Sequence, residues 1–227
     1  MTLSSSVIAY HGCDITTRDD LVSGRVKHLR HSTNKYDWLG AGAYFFEGDE
    51  ERARNFAKAS HENPGKFYTA KPIATPAVVG AILRVHNWLD MTTQAGIREF
   101  ALAYPAMLKG LKTVPENRAA SKDDKDIIYR ALDSAVINFI HSTRKDDSSL
   151  PDFEGVRGAF YQGDEVAPMS GFHANTHVQI ALREDKCVLG WFLPAGDKLL
   201  AEAELAEARA RLDAAILASK KPRVKPG

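Results

Sequence analysis

The stretch LGAGAYFFEGDEERARNFA, residues 39–57, decides how the chain is read. Gly40 and Gly42 precede GAYFFE, whose aromatic content suits a strand that ends near Gly48. Asp49 is a good N-cap for a helix that carries Ala53, Phe56, Ala57 and Ser60 on one face, at spacing i, i+3, i+4, i+7. The unit is a strand running straight into a helix, with Tyr44, Phe45 and Phe46 side by side just before it. Glycines let a backbone approach a ligand closely, and aromatic rings wall a slot for a flat one.

Upstream, SVIAYHG has the β-branched and aromatic content of a short strand, with Gly12 following as a breaker and His11 at the carboxyl end. The polar run from Thr16 to Gly40 reads as a connection. Downstream, AVVGAILRVHNWLDM (77–91) reads as a long central strand with an exit at Asn87. A helical pattern covers 94–111, with a kink or break at Pro105, and Ile128, Leu132, Ala135 and Phe139 form an apolar stripe over 126–141. VRGAFYQG (156–163), HVQIAL (177–182) and CVLGWFL (187–193) read as three further strands. Strands, then helices, then strands argue for an α+β fold. A last helix spans 197–219, with Leu205, Leu212 and Ile216 on one face and Glu207 and Arg211 paired at i, i+4, before a basic tail, 220–227.

Composition narrows the function. With 227 residues and 44% apolar content the chain can bury one sizeable core. Lys and Arg total 30 against 29 Asp and Glu, so there is no strong positive field to draw in duplex nucleic acid or an anionic membrane. The start, MTLSSSVIAYHG, lacks the charged and apolar regions of a leader, and no run approaches a membrane-spanning length. Cys13 and Cys187 fit neither a disulfide framework nor a metal-ligand spacing, which fits reduced thiols in the cytoplasm. The scattered histidines match no zinc spacing, so no metal is expected. Glu50 and Glu51 beside Arg52 and Arg54 read as a solvated helix face.

The order YHG, then GAGAYFF with its helix ARNFA, then GAILRVHNWLDM, resembles the ADP-ribosyltransferases of the diphtheria-toxin-like class, to which the poly(ADP-ribose) polymerases belong. The resemblance covers roughly residues 7–193, with AFYQGDEV and THVQIALR similar to the family's final acceptor loop and strand, and the helices of 94–148 as an insertion. It implies a catalytic domain over 1–195 with split, mixed or antiparallel sheets, followed by the C-terminal helix and tail. It also implies NAD as substrate, framed by a histidine–glycine step, a tyrosine in a G-x-G-x-Y-F strand and usually a glutamate on a late strand.

The first two match His11 with Gly12, and Tyr44. By the resemblance Gly12 lets the backbone reach the carboxamide, His11 donates to a ribose hydroxyl, and Tyr44 stacks on nicotinamide with Phe56 closing the other side. Gly42 and Phe45 belong to the same wall, and Ser32 and Asn34 are candidates for ribose contacts. The late strand departs from the pattern. It offers His177 and Gln179 on one face, and Gln179 is the first choice, His177 the second, to replace the glutamate. A glutamine can bind a ribose hydroxyl but cannot take a proton from an acceptor, so single transfer is expected rather than chain elongation. Asp164 and Glu165 are the nearest carboxylates for activating an acceptor.

The resemblance thus implies a mono-ADP-ribosyltransferase acting on a protein or nucleic acid, in the role of a toxin or anti-phage effector with a cognate antitoxin. An NAD glycohydrolase and a catalytically inactive NAD-binding or interaction module are the alternatives.

Overall fold

Gly12 does not stop the first strand. In the computed structural model, which describes residues 6–33, 37–64, 71–119, 122 and 126–219, β1 (Ser6–Asp14) runs through it. It pairs antiparallel with β3 (Pro76–Arg84) in unbroken register from Ser6↔Arg84 to Asp14↔Pro76. β1 ends where Asp14 becomes an N-cap: its carboxylate accepts from Thr16 N at 3.0 Å and from Thr75 N at 2.8 Å.

Asp14 opens α1 (Ile15–Val22), a helix within the polar run that reads as a connection from sequence. No apolar stripe announces it. Leu21 packs with Cys13 and Val79, and buried polar residues add to that anchor: Arg18 binds Asp19 and the Lys198 carbonyl (2.9 Å), and Asp19 accepts from Leu200 N (2.8 Å). β2 (Ala43–Glu47) and α2 (Glu50–Glu62) form as expected, with Asp49 capping Arg52 N at 2.8 Å and Ala53, Ala57 and Ser60 buried.

The run 77–91 is two strands rather than one. β3 ends at Arg84, and Trp88–Asp90 forms β4 at the far edge of the sheet. α3 (Gln94–Leu108) continues through Pro105, and α4 (Ala131–Asp146) starts later than its apolar stripe suggests. The reason is the small hairpin of β5 (Asn117–Arg118) and β6 (Tyr129–Arg130), which takes the residues before α4, while Asn117 Oδ1 accepts from Leu132 N at 2.9 Å. α3 and α4 form one layer around Met107, Val136, Ile137 and Ile140. β7 (Gly155–Phe160), β8 (His177–Leu182) and β9 (Val188–Phe192) complete the strands. α5 (Glu202–Ser219) buries Leu205, Ala208 and Leu212 and is tied to α1 by Arg209 and Asp20 at 2.6 Å. The tail 220–227 lies outside the described residues.

The architecture is α+β: a mixed seven-stranded sheet in the order β4-β7-β8-β2-β1-β3-β9, plus the two-stranded hairpin. β4 and β7 are parallel and the other neighbours antiparallel. One junction differs from the rest. β1 and β2 are in register at Ala9↔Glu47 and Tyr10↔Phe46, and then part. Two half-sheets, β4-β7-β8-β2 and β1-β3-β9, meet at this short seam. Among the described residues no helix is long and apolar enough to cross a membrane, and Cys13 and Cys187 are buried and free.

Candidate functional site

Gly48 N donates to Ile8 O at 2.9 Å, so residues 8, 10 and 12 of β1 turn their backbone polar groups toward β2. Continuing that ladder would set Gly12 opposite Tyr44. Instead His11 Nδ1 bonds the Tyr44 carbonyl at 2.7 Å, and the strands separate. A side chain has taken the place of a ladder bond, and the backbone edge of Gly12 faces the gap.

The gap is a cleft of about 910 Å³ that passes through the sheet from α1 and α5 on one side to α2 and the segment before α4 on the other. It brings together His11, Gly12, Ser32, Gly42, Tyr44, Phe45, Phe56, His177 and Gln179. Asn34 lies outside the described residues. His11, Tyr44 and Gln179 stand on β1, β2 and β8, which are consecutive in the sheet.

Several roles differ from expectation. Gly12 is required by packing: a Cβ there would come within 2.2 Å of the Ala53 carbonyl, so its bare face admits α2. The resemblance makes His11 a donor to the ribose, and the structure gives its proton another partner. A carbonyl only accepts, so Nδ1 carries the proton, and burial lowers the pKa of His11; the neutral ring then offers Nε2 as an acceptor. His11 lies beside Phe45, their ring centroids 6.0 Å apart, on the sheet face opposite Tyr44, and both sides reach the cleft because the strands part between them.

Phe45 is a core residue: it is buried and stacks on Trp191 at 6.1 Å. The aromatic that shares a face with Tyr44 is Phe46, which strand alternation requires. Phe56 meets Phe46 at 6.0 Å rather than Tyr44, so the aromatic corner is Phe46 with Phe56. The Tyr44 hydroxyl donates to Gly40 O (2.7 Å) and accepts from Leu39 N (3.1 Å), and burial with the nearby Asp37 raises its pKa well above the usual phenol range. Tyr44 is therefore a neutral, fixed ring. Ser32 and Gly42 exchange backbone bonds at 2.8 and 3.0 Å, and the Ser32 hydroxyl bonds Asp37, which makes them a brace for the cleft's rim.

On β8, His177 and Gln179 share a face as expected, and their environments separate them. His177 is 6% exposed, stacked on Phe160 at 5.5 Å and edge-on to Phe46 at 5.0 Å. Its Nδ1 donates to Asn175 O at 2.7 Å, its Nε2 is buried without a partner, and burial brings its pKa down to about 4. Gln179 is only half-buried, and its Oε1 accepts from Trp38 Nε1 at 2.5 Å. Gln179 thus keeps part of its amide open to the cleft, whereas His177 is packed into the wall.

Sequence reasoning missed Trp38, Phe160, Arg52 and Arg130. Arg52 is no solvated residue: its guanidinium lies 5.2 Å from the Phe46 centroid, Nη2 donates to Gln162 Oε1 at 2.7 Å, and burial lowers its pKa. Arg130 stands 4.5 Å over Trp38. The helical spacing from Asp49 to Arg52 and the alternation of β7 carried the signal for Arg52 and Phe160; only the tertiary fold brings Trp38 to β8. Glu165 is turned away: its carboxylate accepts from Met169 N at 2.9 Å, and neither it nor Asp164 lines the cleft, whose carboxylates are those of Asp14, Asp20, Asp37, Asp126 and Asp213. Among the described residues no group of three or more His, Cys, Asp or Glu side chains could hold a metal.

No family model, curated protein or solved structure matches the chain. What the cleft can do rests on its own geometry.

Proposed function

We propose that the protein is a mono-ADP-ribosyltransferase, which cleaves NAD and transfers one ADP-ribose to a protein or nucleic-acid acceptor. The observation that carries this reading is the parting of β1 and β2, where His11 Nδ1 replaces a ladder bond at 2.7 Å and turns the Gly12 backbone edge into the cleft. A carboxamide offers one carbonyl and one amine, the complement of a strand edge with its free N–H and C=O. Tyr44 supplies a rigid ring nearby, His11 Nε2 accepts from a ribose hydroxyl, and the Gln179 amide donates to a ribose oxygen.

Breaking the bond between ribose C1′ and nicotinamide sends the electron pair to the departing ring, which leaves neutral, so positioning and electrostatics carry most of the catalysis. The acceptor's nucleophile supplies the pair for the new bond at C1′ and releases its proton to solvent water. The Gln179 amide cannot take that proton, which favours a single transfer over elongation. A cytoplasmic toxin or anti-phage effector restrained by an antitoxin is the setting that accords with the resemblance.

An NAD glycohydrolase is the second reading. It is favoured by Glu165, whose carboxylate is bonded to Met169 N outside the cleft and so is not offered to a macromolecular acceptor there. Incubating the full chain with labelled NAD and cell extract separates the readings. Label on a macromolecule, lost in His11→Ala, supports transfer; free ADP-ribose alone supports hydrolysis; NAD binding without turnover supports the inactive module.

A further inference from the structure

We propose that Trp38 is a positioning residue for Gln179, locking its amide so that the N–H donors are the groups offered to the ligand. The inference rests on the NAD reading and deepens it, by making an oxygen lone pair the feature that Gln179 recognises.

An indole N–H donates and cannot accept, so the Gln179 atom 2.5 Å from Trp38 Nε1 is the carbonyl oxygen. That bond uses one lone pair of the amide oxygen, fixes which end of the amide faces the indole and leaves the NH₂ for the cleft, which both residues line. An unrestrained glutamine turns over and presents oxygen or nitrogen alike. This one is tied to a ring that is itself held: Trp38 is 8% exposed, meets Phe160 edge-on at 5.2 Å and carries the Arg130 guanidinium at 4.5 Å. Below it, a Cβ on Gly158 would come within 2.7 Å of the indole, so the bare strand position gives the ring its seat. Gly158 lies in register with Gln179, which places the indole and the amide over the same point of the sheet. The ligand oxygen that suits this donor is a ribose hydroxyl oxygen beside the bond that breaks.

The test is a coupling measurement on the full chain with NAD as the probe. Trp38→Phe keeps a ring and removes the N–H; kcat for NAD cleavage should fall roughly tenfold with KM changed by less than about threefold, the size of one hydrogen bond used in the transition state. In a Gln179→Leu background the same substitution should change kcat by less than about twofold, since nothing remains to orient. The Trp38 indole N–H resonance should also move on Gln179→Leu, a readout independent of turnover. Equal losses in both backgrounds, no loss in the unaltered chain, or an unmoved resonance overturn the proposal. Failure of the unaltered chain to bind or cleave NAD overturns the NAD reading itself, and the proposal with it.

Discussion

The two edges of β1 are used in opposite ways. Toward β3 it keeps register over nine pairs, Ser6↔Arg84 to Asp14↔Pro76; toward β2 it keeps two and then lets the partner go. One edge, bordered by the aliphatic β3, stabilises the fold, and the other, bordered by the aromatic β2, makes a cleft. The difference arises just past the Tyr10↔Phe46 pair: one imidazole satisfies the Tyr44 carbonyl, so the strands can part without leaving that acceptor bare. The side chain offsets part of the cost of opening the sheet, and the Gly12 edge is left for a ligand or water to satisfy.

Substitutions on the two edges should therefore fail in different ways. On the closed edge, Leu83→Ala removes a fully buried side chain and should cost about 2–5 kcal/mol by urea unfolding. On the open edge, His11→Ala should lower NAD turnover by about tenfold, the size of one hydrogen bond to the ligand, with a stability loss of about 1–3 kcal/mol from the Tyr44 carbonyl left bare. A chain in which His11→Ala unfolds the protein and leaves turnover per folded molecule intact would erase the contrast.

Gly12→Ala sharpens it further, because Gly12 serves both purposes. The added methyl meets the Ala53 carbonyl at 2.2 Å, and about 1–3 kcal/mol of overpacking should appear in the unfolding midpoint, together with displacement of α2 and weaker NAD binding by calorimetry.

Acid should act through buried neutral histidines. His177 titrates at about 4 when folded and at the ordinary value near 6.5 when unfolded, so between these the unfolded chain binds more protons and stability falls as pH falls. His11 is shifted in the same direction, and His141 to about 3. The urea midpoint should drop steadily from pH 6.5 to 4, and His177→Gln should flatten part of that slope. A midpoint independent of pH in this window would show that the imidazoles are not held neutral.

The smallest effect is expected for Tyr44→Phe. The ring remains and two bonds to the 39–40 turn are lost, so stability should fall by about 1 kcal/mol, with turnover reduced less than in Tyr44→Ala.

Much of this was legible in the sequence. The Asp49 cap and the spacing of Ala53, Ala57 and Ser60 predict α2, because local bonding and one apolar face determine it. Alternation along HVQIAL puts His177 and Gln179 on one face. The same alternation separates Phe45 from Tyr44 and selects Phe46, a signal present in AYFFE that adjacency alone obscures. α1 was hidden because it offers one buried apolar residue, Leu21, rather than a stripe, and the polar bonds of Arg18 and Asp19 go to residues 197–200, which are remote in sequence. The exit expected at Asn87 falls within three residues of the end of β3 at Arg84; the second strand beyond it, β4, was hidden because β-branched content signals extension but not the sheet position to which a strand is delivered. Trp38 was invisible as a site residue because its partner is 141 positions away.

The path of the chain gives the seam one more property. β1 lies in one half-sheet, β2 in the other, β3 back in the first, β4, β7 and β8 in the second, and β9 in the first again. Such interleaving means that no single cut releases either half as an independent piece. The cleft is thus not a boundary between two domains but the inside of one cooperative unit, and a molecule seated there should raise the melting of the whole protein in a single step.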